Sequence, residues 1–278
     1  MYVYVYSTRS GKGVVKLRRL VQGMILIILL IGVVPTYASA ELSTDDLFWL
    51  GYKYESERNY VKAIDLYTEV IKRDPNYKDI YAVRGLAYIW AKNYDLALAD
   101  YFKAVELTPN NSGLYHNIGN IYRTKGNLDL AIEWFTKSIE IKDDSLTRRA
   151  RGITYFELQK YDLAMNDFNR ADELWPNRDE FLICKASLYG FLEKYDECIT
   201  VSEEGLNKFA NHPVFLFLIG QSYEKQGNTG EALSYYKKAY ENQRSDKITW
   251  RFIKAVKAKL DARLANDWVS YKEWVIAF

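Results

Sequence analysis

His116, Asn120 and Arg123 follow one another at intervals of four and three residues, the spacing of a single helix face, and Arg149 stands 26 residues beyond Arg123. An imidazole, a primary amide and two guanidiniums can hold a carboxylate or the backbone of an extended chain, because they combine directed donors with positive charge. They have no nucleophile to activate. The chain has two histidines (His116, His212) and two cysteines (Cys184, Cys198), with no Cys-x-x-Cys or His-Glu-x-x-His spacing, so no metal site is expected. Serine elbows, phosphate loops and paired-glycine fingerprints are missing from the sequence as well. The expectation is a binding surface that uses no cofactor and catalyses no reaction.

The elements that must position these groups are read from a repeat. Tyr54, Tyr88, Tyr122, Tyr155, Tyr189 and Tyr223 are spaced by 34, 34, 33, 34 and 34 residues. Three residues before each stands a small one: Gly51, Gly85, Gly119, Gly152, Ala186, Gly220. Nine residues after each comes Ala63, Ala97, Ala131, Ala164, Cys198 or Ala232, and four further on Tyr67, Tyr101, Phe135, Phe168, Ser202 or Tyr236. Small residues let two helices approach closely and aromatics fill the space beside them, so each period is a helical hairpin. Polar or glycine-bearing turns such as Lys125-Gly126-Asn127 join the helices, and Asp95, Asp129, Asp162 and Asp196 are expected to cap the second ones. Pro75, Pro109 and Pro176 end units one, two and four.

These columns resemble the tetratricopeptide repeat, which Asn117 to Ile139 follow closely. The resemblance implies an all-α fold, an α-solenoid winding antiparallel helix pairs into a right-handed superhelix. Six units are expected, at about 44–77, 78–111, 112–144, 145–178, 179–212 and 213–246, with a capping helix and short amphipathic tail over 247–278. Relatives of this kind grip extended peptides or partner helices in a concave groove and share no common reaction. Counted from the glycine column, the groove wall holds His116, Asn120, Arg123 and Arg149, flanked by Leu86 and Ile89 on one side and Ile153 and Phe156 on the other. Asn120 with the basic residues resembles the two-unit clamp that holds a terminal carboxylate, with His116 where the family prefers lysine or arginine. The functional reading is an anchor for a backbone or carboxylate beside an apolar trough; the alternative is a solvated polar strip.

The first 40 residues carry five basic side chains (Arg9, Lys12, Lys16, Arg18, Arg19) and no acidic one, then the apolar run Met24 to Val34 and an Ala38-Ser39-Ala40 ending. This describes a secretory signal peptide cleaved after Ala40, or else an uncleaved anchor; both place the repeats outside the cytoplasm, in the periplasm of a double-membraned bacterium or secreted. Contact with a membrane is expected only through an uncleaved segment. The whole chain has 38 basic and 36 acidic residues for a net of +2; without those five basic residues 33 stand against 36, a net of −3. Such a balance excludes the concentrated basic footprint of nucleic-acid binding. Cys198 fills the alanine column and Cys184 points away from it, so the two are expected to be unbridged.

Beyond the last unit, Trp250, Ile253, Val256, Leu260 and Leu264 form a helical stripe that can close the stack, followed by Trp268, Tyr271, Val275 and Phe278. The reading is an exported protein-interaction scaffold whose groove binds a peptide or partner helix. A self-assembling structural module, joined through stack ends or the aromatic tail, is the alternative, and the oligomeric state stays open.

Overall fold

A computed structural model of the protein describes residues 42–242, and these residues form twelve helices with no strand among them. The signal and tail readings lie outside the described residues. The helices fall into two compact units, one ending at Ala104 and one beginning at Val105. In the first are α1 (Thr44–Ser56), α2 (Tyr60–Arg73), α3 (Ile80–Trp90) and most of α4 (Tyr94–Leu107). The second holds α5 (Ser112–Thr124), α6 (Leu128–Ile141), α7 (Ser145–Glu157), α8 (Tyr161–Leu174), α9 (Asp179–Phe191), α10 (Tyr195–Lys208), α11 (Pro213–Lys225) and α12 (Thr229–Glu241).

The glycine and aromatic columns meet face to face within each hairpin. A methyl group placed on Gly119 would stand 2.6 Å from ring carbons of Phe135, on Gly152 2.7 Å from Phe168, and on Gly51 2.6 Å from Tyr67. Tyr67, Tyr101, Phe135, Phe168 and Tyr236 are all fully or almost fully buried, each contributing about 1.5–3 kcal/mol of hydrophobic free energy. The fifth unit breaks the pattern with Ala186 and Ser202. Its aromatic comes from the next hairpin: Phe215 presses its ring on Gly205, where a methyl group would lie 2.5 Å away.

The tyrosine column ends each first helix. The carbonyls of Tyr54, Tyr88, Tyr122, Tyr155, Tyr189 and Tyr223 each accept a hydrogen bond from the backbone amide five residues on, at 2.8 to 2.9 Å. Between donor and acceptor lies a left-handed residue: Arg58, Lys92, Gly126, Gln159, Glu193 or Gly227, with φ from 60° to 85°. This is the Schellman stop, which satisfies the last carbonyls of a helix by turning one residue left-handed. Only two of the six positions hold the glycine that the geometry favours.

The expected aspartate caps are corrected. Asp95, Asp129, Asp162 and Asp196 lie inside the first turn of their helices, and the residues preceding α6, α8 and α10 (Asn127, Lys160, Lys194) make no side-chain cap bond. In that turn the carboxylates complement the helix dipole, and for Asp129, Asp162 and Asp196 no hydrogen bond from the free amides is found. Side-chain caps sit elsewhere: Ser43 with Asp46 in a reciprocal capping box on α1, Asn59 on α2, Asn111 on α5 and Asp144 on α7.

Two hairpins share an internal ion pair in the same register. Arg84 meets Asp100 through two bonds of 2.8 and 2.7 Å and donates to Thr68 of the preceding hairpin; Arg151 does the same with Asp167, at 2.7 and 2.8 Å, and with Thr136. The guanidiniums also lie over the rings of Tyr88 and Tyr155. Forked guanidinium–carboxylate contacts of this kind fix orientation as well as distance. Cys184 and Cys198 are buried free thiols in different clusters, Cys198 beside Ala186, and burial pushes their pKa up to about 12 and about 11.

Candidate functional site

In the second unit α5 carries His116, Asn120 and Arg123, and α7 carries Arg149, Ile153 and Phe156. His116 is buried, so it belongs behind the surface and not on it. Its Nε2 accepts from the Asn120 side-chain nitrogen at 2.8 Å, and its Nδ1 faces Thr147 Oγ1 at 3.0 Å. Thr147 Oγ1 in turn lies 3.2 Å from Asp144 Oδ2, the carboxylate oxygen that caps α7 through the amides of Leu146 and Thr147. With Thr147 donating to Asp144 and the Asn120 amide nitrogen facing Nε2, the chain of bonds fits a neutral ring protonated at Nδ1. Burial pulls the His116 pKa down to about 4, opposed by Asp144 and reinforced by Arg149 and Arg123. His116 therefore orients Asn120 and adds no charge.

The two arginines supply the charge. Arg123 Nη1 lies 3.6 Å from Glu157 Oε1, a long ion pair, and its pKa is lowered by burial and by Arg149 despite Glu157. Arg149 is half-buried and has no ion-pair partner among the described residues. The Nε of each guanidinium is buried with no hydrogen-bond partner. A buried donor left unmatched costs about 1–3 kcal/mol, which an incoming carboxylate or carbonyl oxygen would offset.

The apolar residues are placed differently from the exposed trough that spacing suggested. Ile153 and Phe156 are buried with Ala164, Phe168, Cys184 and Leu188, and the Phe156 ring meets Phe191 edge-on at 5.0 Å. They are seam residues between α7, α8 and α9 because α9 is itself apolar on that side. Leu86, half-buried, and Ile89, buried, lie on α3 in the first unit. What faces outward in the second unit is the polar part: Asn120, Arg123 and Arg149. Thr147, Asp144 and Glu157, which hold these groups, were not legible as site residues; the acid pair Asp143-Asp144 reads in sequence as a solvated helix end, yet Asp144 is a cap and Asp143 bonds Arg148 and Arg170.

Among the described residues no cluster of histidine, cysteine and acidic side chains fit to hold a metal occurs, and no helix is long and apolar enough to cross a membrane.

Family models described as tetratricopeptide repeat match residues 49–112, 112–145 and 214–246, so the chain carries tetratricopeptide repeats. No curated protein matches the sequence. Among solved structures, PilW, titled a widely conserved type IV pilus biogenesis factor, is similar at a TM-score of 0.61 and 16% identity, over 76% of this chain and 98% of PilW. YrrB, titled a TPR protein with an unusual peptide-binding site, is similar at 0.51 and 22%, over 68% of this chain and 97% of its own. A MamA protein is similar at 0.53 and 22%, over 68% and 96%. The likeness establishes the fold, an all-α solenoid of the tetratricopeptide type.

Proposed function

We propose that this tetratricopeptide-repeat chain is an exported, non-enzymatic scaffold that binds an extended peptide, anchoring a carboxylate or backbone carbonyl with Arg149, Arg123 and Asn120. The observation that carries the reading is Arg149: a half-buried guanidinium with an unmatched Nε and no acidic partner among the described residues. A structural arginine would be paired, as Arg84 and Arg151 are in the same fold. Proteins with tetratricopeptide repeats serve in general as interaction modules, and YrrB, similar in fold, is titled for a peptide-binding site. Export rests on the basic lead, apolar run and Ala-Ser-Ala ending of residues 1–40.

The partner is captured by crosslinking the native protein in its cell envelope and then compared with the Asn120→Ala/Arg149→Ala double variant. Lower partner affinity with an unchanged helical circular dichroism spectrum is the expected outcome; equal affinity counts against the site. A second reading, self-assembly, is favoured by Trp49 and Tyr52 on α1, both exposed and edge-to-face at 6.0 Å. Light scattering of the purified protein tests it, and a strict monomer at high concentration rules it out.

A further inference from the structure

Lys78 follows Tyr77 in the connection between α2 and α3, with its backbone in the left-handed region at φ 45°, where a lysine rarely sits. Its ammonium is held among aromatic rings. Nζ stands 4.7 Å from the centre of the Phe48 ring, 5.3 Å from Trp49 and 4.5 Å from Tyr77. The Asp45 carboxylate lies 3.2 Å from the same nitrogen, and the Tyr77 hydroxyl accepts from it at 2.6 Å. By contrast, Lys62 over Tyr54 and Lys137 over Trp134 each meet a single ring. Three rings and a carboxylate around one cation make a cage.

The walls of this cage have supports that do not involve Lys78. Phe48 is buried in the core cluster with Tyr67, Val70 and Ile80, and Tyr77 packs against that cluster. Its ring meets Trp49 edge-on at 5.3 Å and Tyr77 at 5.5 Å. The Tyr77 hydroxyl donates to Asp45, tying the connection to α1. Asp74 shapes the turn that presents Tyr77: its carboxylate accepts from the Asn76 amide at 3.0 Å and its carbonyl from the Tyr77 amide at 3.1 Å. Trp49, Asp45 and Lys78 are all exposed, so the cage opens to solvent.

A primary ammonium is a poor match for such a place, because it is strongly hydrated and exposed rings replace little of that hydration. Lys78 is kept there by its tether, one residue from Tyr77. A quaternary ammonium carries its charge beneath methyl groups that need no hydrogen bonds, and aromatic faces recognise it for that reason. We propose that Phe48, Trp49, Tyr77 and Asp45 form a binding cage for a quaternary ammonium group of the choline type, with Lys78 as the resident occupant that the ligand displaces. The site lies wholly in the first unit and does not depend on the reading of Arg149.

The test titrates the protein with choline chloride at constant ionic strength and follows the Trp49 indole N–H resonance, assigned by its loss in Trp49→Ala. Saturable movement with a midpoint of ~1–10 mM is expected of a shallow three-ring cage. The uncharged analogue 3,3-dimethylbutan-1-ol, which has the same shape, is expected to bind at least ~10-fold more weakly. Lys78→Asn removes the occupant and keeps a residue that tolerates the left-handed backbone. It should bind choline at least ~3-fold more tightly, since an occupied site lowers apparent affinity by the fraction of time it is closed. Sedimentation with phosphatidylcholine vesicles that choline competes away would place the group on a lipid; without it, the ligand is a free solute. No saturable movement in either protein up to ~100 mM overturns the proposal, as do equal affinity for the uncharged analogue or unchanged or weaker binding by Lys78→Asn. A Trp49 resonance that moves on dilution of the protein and not with choline overturns it in favour of self-association.

Discussion

The Asn120 side-chain nitrogen lies 2.8 Å from His116 Nε2, so a buried neutral histidine fixes the direction of an amide at the edge of the candidate site. The contact gives His116 a role different from the surface ligand that its place in the helical pattern suggested. It also makes the site's geometry dependent on protonation.

That dependence has a definite sign. With a folded pKa of about 4 against an ordinary 6.5, His116 takes up its proton more readily in the unfolded chain. Stability from this residue is therefore complete above pH 6.5 and falls as the pH drops toward 4, by about 3 kcal/mol in all. Urea unfolding of the protein and of His116→Asn at pH 7 and pH 4.5 should show a smaller acid loss in the variant. Parallel losses would contradict the neutral ring.

Arg84 and Arg151 occupy the same register but differ in redundancy. Asp167 also accepts from Arg148 at 3.0 Å, whereas Arg84 is the guanidinium partner of Asp100. Arg84→Met should cost about 3 kcal/mol by stranding a buried carboxylate, and Arg151→Met about half of that. Chemical denaturation midpoints decide the order; equal costs would remove the argument.

Gly119 tests the seam. Gly119→Ala places a methyl 2.6 Å from the Phe135 ring, and overpacking of this kind costs about 1–3 kcal/mol. Combining it with Phe135→Leu should recover part of the loss, so a double-mutant cycle with no coupling would contradict direct contact.

The left-handed turn column gives a stabilising prediction. Gln159 and Glu193 adopt φ of 60°, where Gly126 and Gly227 stand in other units. Gln159→Gly and Glu193→Gly should each raise stability by up to about 1 kcal/mol, since a side chain in the left-handed region is strained. Calorimetry would show a higher Tm for each; a lower Tm would mean that the side chains hold the turns in another way.

The sequence made some of this visible and concealed the rest for identifiable reasons. The meeting of Gly119 with Phe135 and of Gly152 with Phe168 was readable because residue size alone imposes it. The turn column was not, because Arg58, Lys92, Gln159 and Glu193 accept a left-handed conformation that the helix end dictates against their preference. Asp95 and its counterparts looked like caps, but the helices begin one residue earlier. At the site, spacing found Asn120, Arg123 and Arg149 on their helices. It could not find that Thr147, 31 residues away, turns His116 inward, nor that α9 covers Phe156. Burial on one helix is set by what the next one presents.

The central claim, that Arg149 receives an acceptor oxygen of an extended peptide, is tested most directly with peptides that differ at one group. Decapeptides selected from a library displayed with free C-termini are synthesised as acids and as amides and titrated calorimetrically against the protein and Arg149→Met. If Arg149 holds the terminal carboxylate, the acid binds at least ~10-fold tighter than the amide and the variant loses that preference, the size expected of one charge-assisted hydrogen bond. If it holds a backbone carbonyl, both forms weaken together in the variant. Affinities that Arg149→Met leaves unchanged for both forms contradict the account.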